Sequence, residues 1–424
     1  MVYTAMQGSD KLSIWIVFYV YWIFLKFFFI FMFFYLASLA ISARYALLYA
    51  GSNWFLNYRH QADIFTIYNQ LLARGFTASN IGLYAYDDIA TDQENPFSGQ
   101  VFHTLDHKIN VYPGSSAINV KGDDVTAEAF CNAIKNLPTS SDDYVFIYYD
   151  NHGGPGLLGT PVGDSIYCDD LTNAFAAAST SKLYKQLLFI IEACFSGSVA
   201  DAIINYGKIP NLAIITAANA DESSYAAVYD EEIGTFLSNE FTNIFIDLID
   251  ENPTISVGEL YTTLQKQTTQ SHACFFGDES IQSVALSTFI GIPNRVIFHK
   301  SKVGNSLLVK PASATEKTLK FLLQHSKASI RAHARLQLLK NRAQTLKLET
   351  ALDLLVKYVD PKNYEKIMND TQAKITPEYL HALRVFSNKI GQINPDDYGL
   401  LKVIKALAAS YPKEKIIQGI FATL

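Results

Sequence analysis

Cysteine is scarce in this chain, four residues in 424, which excludes a small scaffold stapled by disulfides. Cys131, Cys168, Cys194 and Cys274 form no Cys-x-x-Cys pair, so no structural metal and no cofactor are expected. Runs of Lys or Arg are missing too, and with them the footprint of a nucleic-acid partner. Charge is almost absent from Ile14 to Ala43, where Lys26 stands alone. Ile14–Leu25 and Phe27–Ala37 are each too short to span a bilayer, but together they are long enough. The run closes on small residues, Ala37-Ser-Leu-Ala40-Ile-Ser-Ala43, as a signal-peptidase site does. Residues 1–43 therefore read as a cleaved signal peptide or a retained signal anchor, and either sends the rest of the chain into the secretory pathway.

What is present is a strand that ends in chemistry. Leu187-Leu-Phe-Ile-Ile191 runs into Glu192-Ala193-Cys194 and breaks on Ser196-Gly-Ser198. A short apolar run ended by turn residues predicts a buried parallel strand. Glu192 and Cys194 then lie at its carboxyl end, where open α/β sheets build their sites. Tyr144-Val-Phe-Ile-Tyr-Tyr149 ends likewise on Asp150-Asn151-His152-Gly153-Gly154. A Cys and a His at two strand tips are what a thiol nucleophile and its base require.

Strands also read at Tyr45–Ala50, Ile81–Tyr86 and Leu212–Thr216, with a last one at Ile281–Ile290. Helices fall between them, at Gln61–Arg74, Thr126–Lys135, Asp170–Ala178, about Thr235–Ile249 and Val257–Lys266, while residues 220–239 read as a polar loop. The alternation predicts an α/β sandwich on a mainly parallel sheet. Past residue 299 strands stop and leucine takes helical spacing, as at Leu319, Leu322, Leu323, Leu352 and Leu355. The charge changes sign as well. Residues 299–424 hold 21 Lys+Arg against 10 Asp+Glu, and the first 298 hold 13 against 30. Two segments of opposite charge are expected to dock.

Six motifs in order now carry a resemblance: Ala50-Gly-Ser-Asn53, Asn57-Tyr-Arg-His-Gln-Ala-Asp63, Tyr86-Asp-Asp-Ile-Ala90, His152-Gly-Gly-Pro-Gly156, Ile191-Glu-Ala-Cys194-Phe-Ser-Gly-Ser198 and Ala217-Ala-Asn219 with Glu222-Ser-Ser-Tyr225. Over residues 44–298 the chain resembles the legumain family, the asparaginyl endopeptidases or vacuolar processing enzymes. The resemblance implies a caspase-like fold, a six-stranded sheet between helices, followed by an all-helical C-terminal prodomain at 316–424 beyond a linker at 299–315. It implies that Cys194 attacks the scissile carbonyl, His152 serves as acid and base, Asn57 orients His152, and the N–H groups of Gly153 and Cys194 hold the oxyanion. Arg59, His60, Glu192 and Ser224 match the pocket for an Asn side chain. The family's second pocket acid falls on Asn239, which would weaken discrimination for the substrate amide unless Glu240 turns in to replace it. Asn151 stands where the family has an Asp linked to peptide-ligase side activity.

The tail resembles the family's prodomain, an intramolecular inhibitor released by acid, with Asn305 matching the autoprocessing position. Protein and peptide substrates follow, as does a lysosomal, vacuolar or secreted location. The membrane would be met only through a retained leader. Two rivals share the fold: a GPI-anchor transamidase-like subunit, for which a C-terminal membrane span is expected and Lys415–Leu424 is too short, and a catalytically silent binding protein.

Overall fold

The computed structural model describes residues 43–293 and 307–424, with six further positions between Tyr19 and Lys26. Most of the leader and the Asn305 position lie outside the described residues. Residues 1–43 form one unit and Arg44–Leu424 a second, compact one, to which all that follows refers. Among the described residues no helix is long and apolar enough to cross a membrane.

The apolar runs pair as a six-stranded sheet in the order Cys274–Gly277, Leu212–Thr216, Gln186–Glu192, Tyr144–Asp150, Arg44–Ala50, Ile81–Tyr84. All neighbours are parallel except the first pair. Strands this apolar are stable only when covered on both faces, and two core clusters do so. One packs Phe130, Phe175 and Ile203 onto Leu47, Ile147 and Phe189; the other packs Phe65, Phe245 and Leu260 onto Leu48, Phe146 and Ile190. Register decides where the chemistry goes. Ala50 stands opposite Asp150, and Asp150 opposite Glu192, so three adjacent strands end level. Strand order reverses across Arg44–Ala50, and the loops leaving this edge form the crevice in which such sheets bind ligands.

Two expectations are corrected. Ile281–Ile290 is no strand; it makes a 3-10 turn, Glu279–Ser283, and a short helix, Ser287–Ile290, and the last strand is Cys274–Gly277. Its apolar residues, Ile281, Leu286, Phe289 and Ile290, do not alternate as a strand requires. Residues 220–239 are no plain loop either, since Ala226–Asp230 and Thr235–Asn239 form a hairpin. Its turn is held by Asp230, whose Oδ1 accepts from Glu232 N and Ile233 N, both 2.8 Å, with Gly234 at φ 79°. The helix therefore begins at Glu240 rather than Thr235.

The C-terminal helices, Pro311–Leu322, Ala328–Val359, Tyr364–Asn369, Pro377–Ile390, Lys402–Ser410 and Lys413–Thr423, lie against the carboxyl edge of the sheet unit. Leu157 and Leu171 share one hydrophobic cluster with Leu380, Leu383 and Leu401. Tyr379 Oη donates to Pro155 O at 2.6 Å, and Tyr206 Oη to Ile375 O at 2.6 Å. The charge split is realised in two places: Arg384 grips Asp169 with both forks at 2.7 Å and reaches Asp170 at 3.0 Å, and Lys405 reaches Asp221 at 2.9 Å. Tyr379→Phe removes a buried donor from the Pro155 carbonyl and should cost about 1–2 kcal/mol. A thermal unfolding midpoint equal to that of the unaltered chain would contradict this placement.

Candidate active site

The site is assembled from the three level strand ends. After Ala50 the chain turns through Gly51, where a Cβ would come within 2.8 Å of the Asn151 side chain. Trp54 then takes φ 69° and donates its N–H to Asp88 Oδ2 at 2.6 Å, while Gln61 Nε2 holds Asp88 Oδ1 at 2.6 Å. That clamp fixes the 3-10 turn Phe55–Asn57. Asn57 Nδ2 donates to Asn53 O at 3.0 Å, which leaves its Oδ1 facing His152 Nε2 at 2.8 Å. An amide oxygen can only accept, so the neutral imidazole carries its proton on Nε2, and Nδ1 presents a lone pair. His60 accepts at, or donates from, Nδ1 to Ser52 Oγ at 2.7 Å and sets its ring edge-on to His152, centroids 5.0 Å apart. It braces the imidazole.

Cys194 follows the central strand, and Phe195, at φ 55° and ψ 16°, turns the chain sharply into the helix Ser196–Gly207. The thiol is 6% exposed and rests on Ser224, 3.8 Å from its carbonyl and 3.9 Å from its hydroxyl. Gly153 lies against the Cys194 carbonyl so closely that a Cβ would meet it at 2.3 Å; the two peptides proposed for the oxyanion are neighbours because residue 153 is glycine. Burial raises the Cys194 pKa. Burial, then the nearby Arg59 charge, holds His152 well below its ordinary range. The resting pair is a neutral thiol and a neutral imidazole.

Beneath them lies a buried charge cluster. Arg59, 1% exposed, donates from Nε to Asn239 Oδ1 at 2.9 Å. Asn239 Nδ2 in turn donates to Asp63 Oδ2 and Asp150 Oδ1, both 3.0 Å. Asp63 also accepts from Ser238 Oγ at 2.6 Å and Asn239 N at 3.0 Å, and meets His103 Nε2 at 2.7 Å. Thr242 Oγ1 bridges Asp150 Oδ2 at 3.2 Å and Glu192 Oε2 at 3.4 Å. Glu192 Oε1 has no partner among the described residues. Burial pushes Glu192 up to about 8. Burial, with Asp63 and Glu192 beside it, drives Asp150 well above the carboxylate range. Glu240 does not turn in: its Oε1 accepts from Thr269 N at 2.8 Å and Oγ1 at 2.7 Å. Asn239 spends both amide protons on the protein's own acids and has no donor left for another partner.

Every residue named from the sequence for this site, save Asn305, falls in one neighbourhood. Four that matter were passed over. Asp63, Asp88 and Asp150 sit inside or beside the quoted motifs, but only folding shows them converging. The fourth is Asp396 of the helical tail, whose Oδ1 lies 3.7 Å from His152 Nδ1 with its side chain 8% exposed. The expectation of no structural metal overlooks one His-x-x-x-His spacing, His103 and His107; its members pair with Asp63 and Asp230, and no metal-holding cluster occurs among the described residues. Asn151 is clamped, its Nδ2 donating to Gly51 O.

Residues 44–292 match the peptidase C13 family. The chain belongs to that family. Its curated relatives include a vacuolar-processing enzyme of Citrus sinensis, 33% identical over 59% of this chain and 56% of that protein, and a legumain of Mus musculus, 33% identical over 58% and 59%. A GPI-anchor transamidase of Saccharomyces cerevisiae is 30% identical over 54% and 58%. The chain thus covers less than two thirds of the length of each of these relatives. Among solved structures, a caspase-1 of Spodoptera frugiperda superposes with TM-score 0.38 at 12% identity, over 60% of this chain and 92% of that one. Within the peptidase C13 family fold, Asn239→Asp is the informative change. An ionised carboxylate there cannot donate to Asp63 and Asp150, so the variant should lose about 3 kcal/mol at neutral pH. Unfolding midpoints of the two chains at pH 7.5 check it.

Proposed function

We propose that the chain is the zymogen of a cysteine endopeptidase that cleaves after Asn, and after Asp at acid pH. The observation that carries the reading is the convergence of Asn57, His152, Cys194 and Gly153 above the buried Arg59–Glu192 cluster, which in this reading lines the P1 pocket. His152 Nδ1 takes the thiol proton, Sγ attacks the carbonyl carbon, and the Gly153 and Cys194 N–H groups hold the oxyanion. The same Nδ1 returns its proton to the leaving amine, leaving a thioester at Cys194. Water then releases the acid. An amine in its place gives the peptide-ligase side reaction, and a dedicated amine acceptor gives the transamidase alternative. In the pocket Arg59 donates to the oxygen of a P1 Asn amide, and Glu192, protonated below about pH 8, can both accept and donate. A protonated P1 Asp has the same shape and no charge, which accounts for cleavage after Asp in acid. Entry into the secretory pathway and an acidic vacuole or lysosome fit this chemistry.

The helical tail is the inhibitor in this reading, with Asp396 inserted beside His152. Its pH dependence has two opposing parts. Burial pushes Asp396 up to about 6, above its free value, so this contact strengthens as pH falls through 6 and weakens above it. The Arg384–Asp169–Asp170 and Lys405–Asp221 bridges need ionised carboxylates and weaken on acidification. Acid release is therefore driven by the bridges against Asp396. Arg384→Ala should free activity at a higher pH than the unaltered chain. Release at an unchanged pH would remove the bridges from the trigger.

Peptides differing only at P1 (Asn, Asp, Ala, Arg), offered after acid pre-incubation, test the activity. Asn cleavage that appears only after acid and vanishes in Cys194→Ala is expected. Thioester consumed by an amine but not by water would favour the transamidase. No turnover at any P1 residue, with the tail removed, would leave only the silent fold.

A further inference from the structure

The long tail helix Ala328–Val359 has two faces. One buries Ile330, Ala334, Leu348, Leu352 and Leu355 and, between Ala334 and Leu348, sets Gln337, Asn341 and Gln344 along a cavity of about 730 Å³ that reaches His152 and Asn57. The opposite face is turned to solvent and carries Leu336, Leu339 and Leu346, which are 67%, 64% and 65% exposed. With Ala332, Ala343 and Thr350 they recur at alternating spacings of three and four, a straight apolar ridge. Single exposed leucines need no explanation; a row of them does.

The ridge is flanked by Arg335 and Arg342 on one side and Lys340 and Lys347 on the other. No Asp or Glu occurs between Glu316 and Glu349, a stretch holding eight Lys and Arg. Beside Lys340, whose Nζ stands 4.9 Å over the ring, is Trp54, 41% exposed. The charges argue against a second copy as the occupant. A parallel pair of these helices would oppose Arg335 to Lys340 and Arg342 to Lys347. An antiparallel pair would oppose Arg342 to Arg342 and Lys340 to Lys340 or Lys347, leaving Arg335–Glu349 as the one attractive contact. An apolar ridge with cations on both flanks and an indole at its edge is the composition of a helix lying in the plane of a lipid headgroup layer.

We infer that this ridge is a docking surface for an anionic membrane, with Leu336, Leu339 and Leu346 entering the acyl boundary and the four cations meeting lipid phosphates and carboxylates. The contact is reversible and weakened by salt, because most of its strength is surface charge. The His152 cavity lies on the opposite face of the helix, with Trp54 at its rim between the two.

The test uses residues 44–424, which pack as one compact unit and contain Trp54 as their sole tryptophan. Flotation with phosphatidylcholine vesicles, with and without phosphatidylserine, should show binding to the anionic ones alone, with a blue shift of Trp54 emission and loss at high salt. The L336E/L339E/L346E and R335E/R342E variants should each bind about tenfold more weakly or worse, with unchanged circular dichroism and unfolding midpoint; Lys340 and Lys347 are left in place because they also touch Trp54 and the Ile390 carbonyl. Binding unaltered by both changes, or no binding to anionic vesicles at low salt, overturns the inference. So does a leucine-dependent dimer in sedimentation, or leucine-dependent binding of poly-glutamate, without vesicle binding; these assign the ridge to a second copy or an acidic protein.

Discussion

The site depends on one buried cation. Arg59 lies almost wholly out of water, a placement that costs several kcal/mol unless neighbours compensate. Compensation comes from Asn239 Oδ1 by direct hydrogen bond and, at longer range, from the carboxyl groups of Asp396 and Asp63. Asn239 is the connector: its oxygen serves Arg59 while its amide protons serve two acids that would otherwise repel one another. A carboxylate in that place would add a charge where the cluster already holds three carboxyl groups. The amide therefore suits this chain's own balance, whatever its effect on substrate choice.

That cluster sits where it does because strands of near-equal reach end level. The register Ala50–Asp150–Glu192 puts two carboxyl side chains opposite each other on adjacent strands, and burial, with Asp63 close by, raises the pKa of both. The same edge launches the three loops that carry Asn57, His152 and Cys194. The geometry of the proposed catalytic residues and the electrostatics of the cluster beneath them are thus two consequences of one sheet edge.

The tail closes the system by using the same currency. It supplies Asp396 to the side of the cleft where Arg59 is buried and takes Asp169, Asp170 and Asp221 with Arg384 and Lys405. In the proposed release a buried carboxyl and half-buried ion pairs respond to acid in opposite senses, so the pH at which the two parts separate reflects a balance rather than any single group.

Much of this was legible in the residues. Apolar runs ending in turn residues located the strands that carry His152 and Cys194, because burial on both faces leaves a pattern that needs no knowledge of neighbours. Leucine periodicity marked the tail as helical, and the charge split foretold its docking. The weakly patterned pieces were misread: the hairpin 226–239 depends on Asp230 capping its own turn, and the edge strand Cys274–Gly277 on a partner already in place. Asp63, Asp88, Asp150 and Asp396 gave no local signal as site residues, since an acid's burial and partners are set by segments far away in sequence. Which residue types the chemistry has at its disposal was determined by the sequence alone. Which charges face one another, and hence which groups keep their protons, was decided only when the strand ends and the tail were brought together.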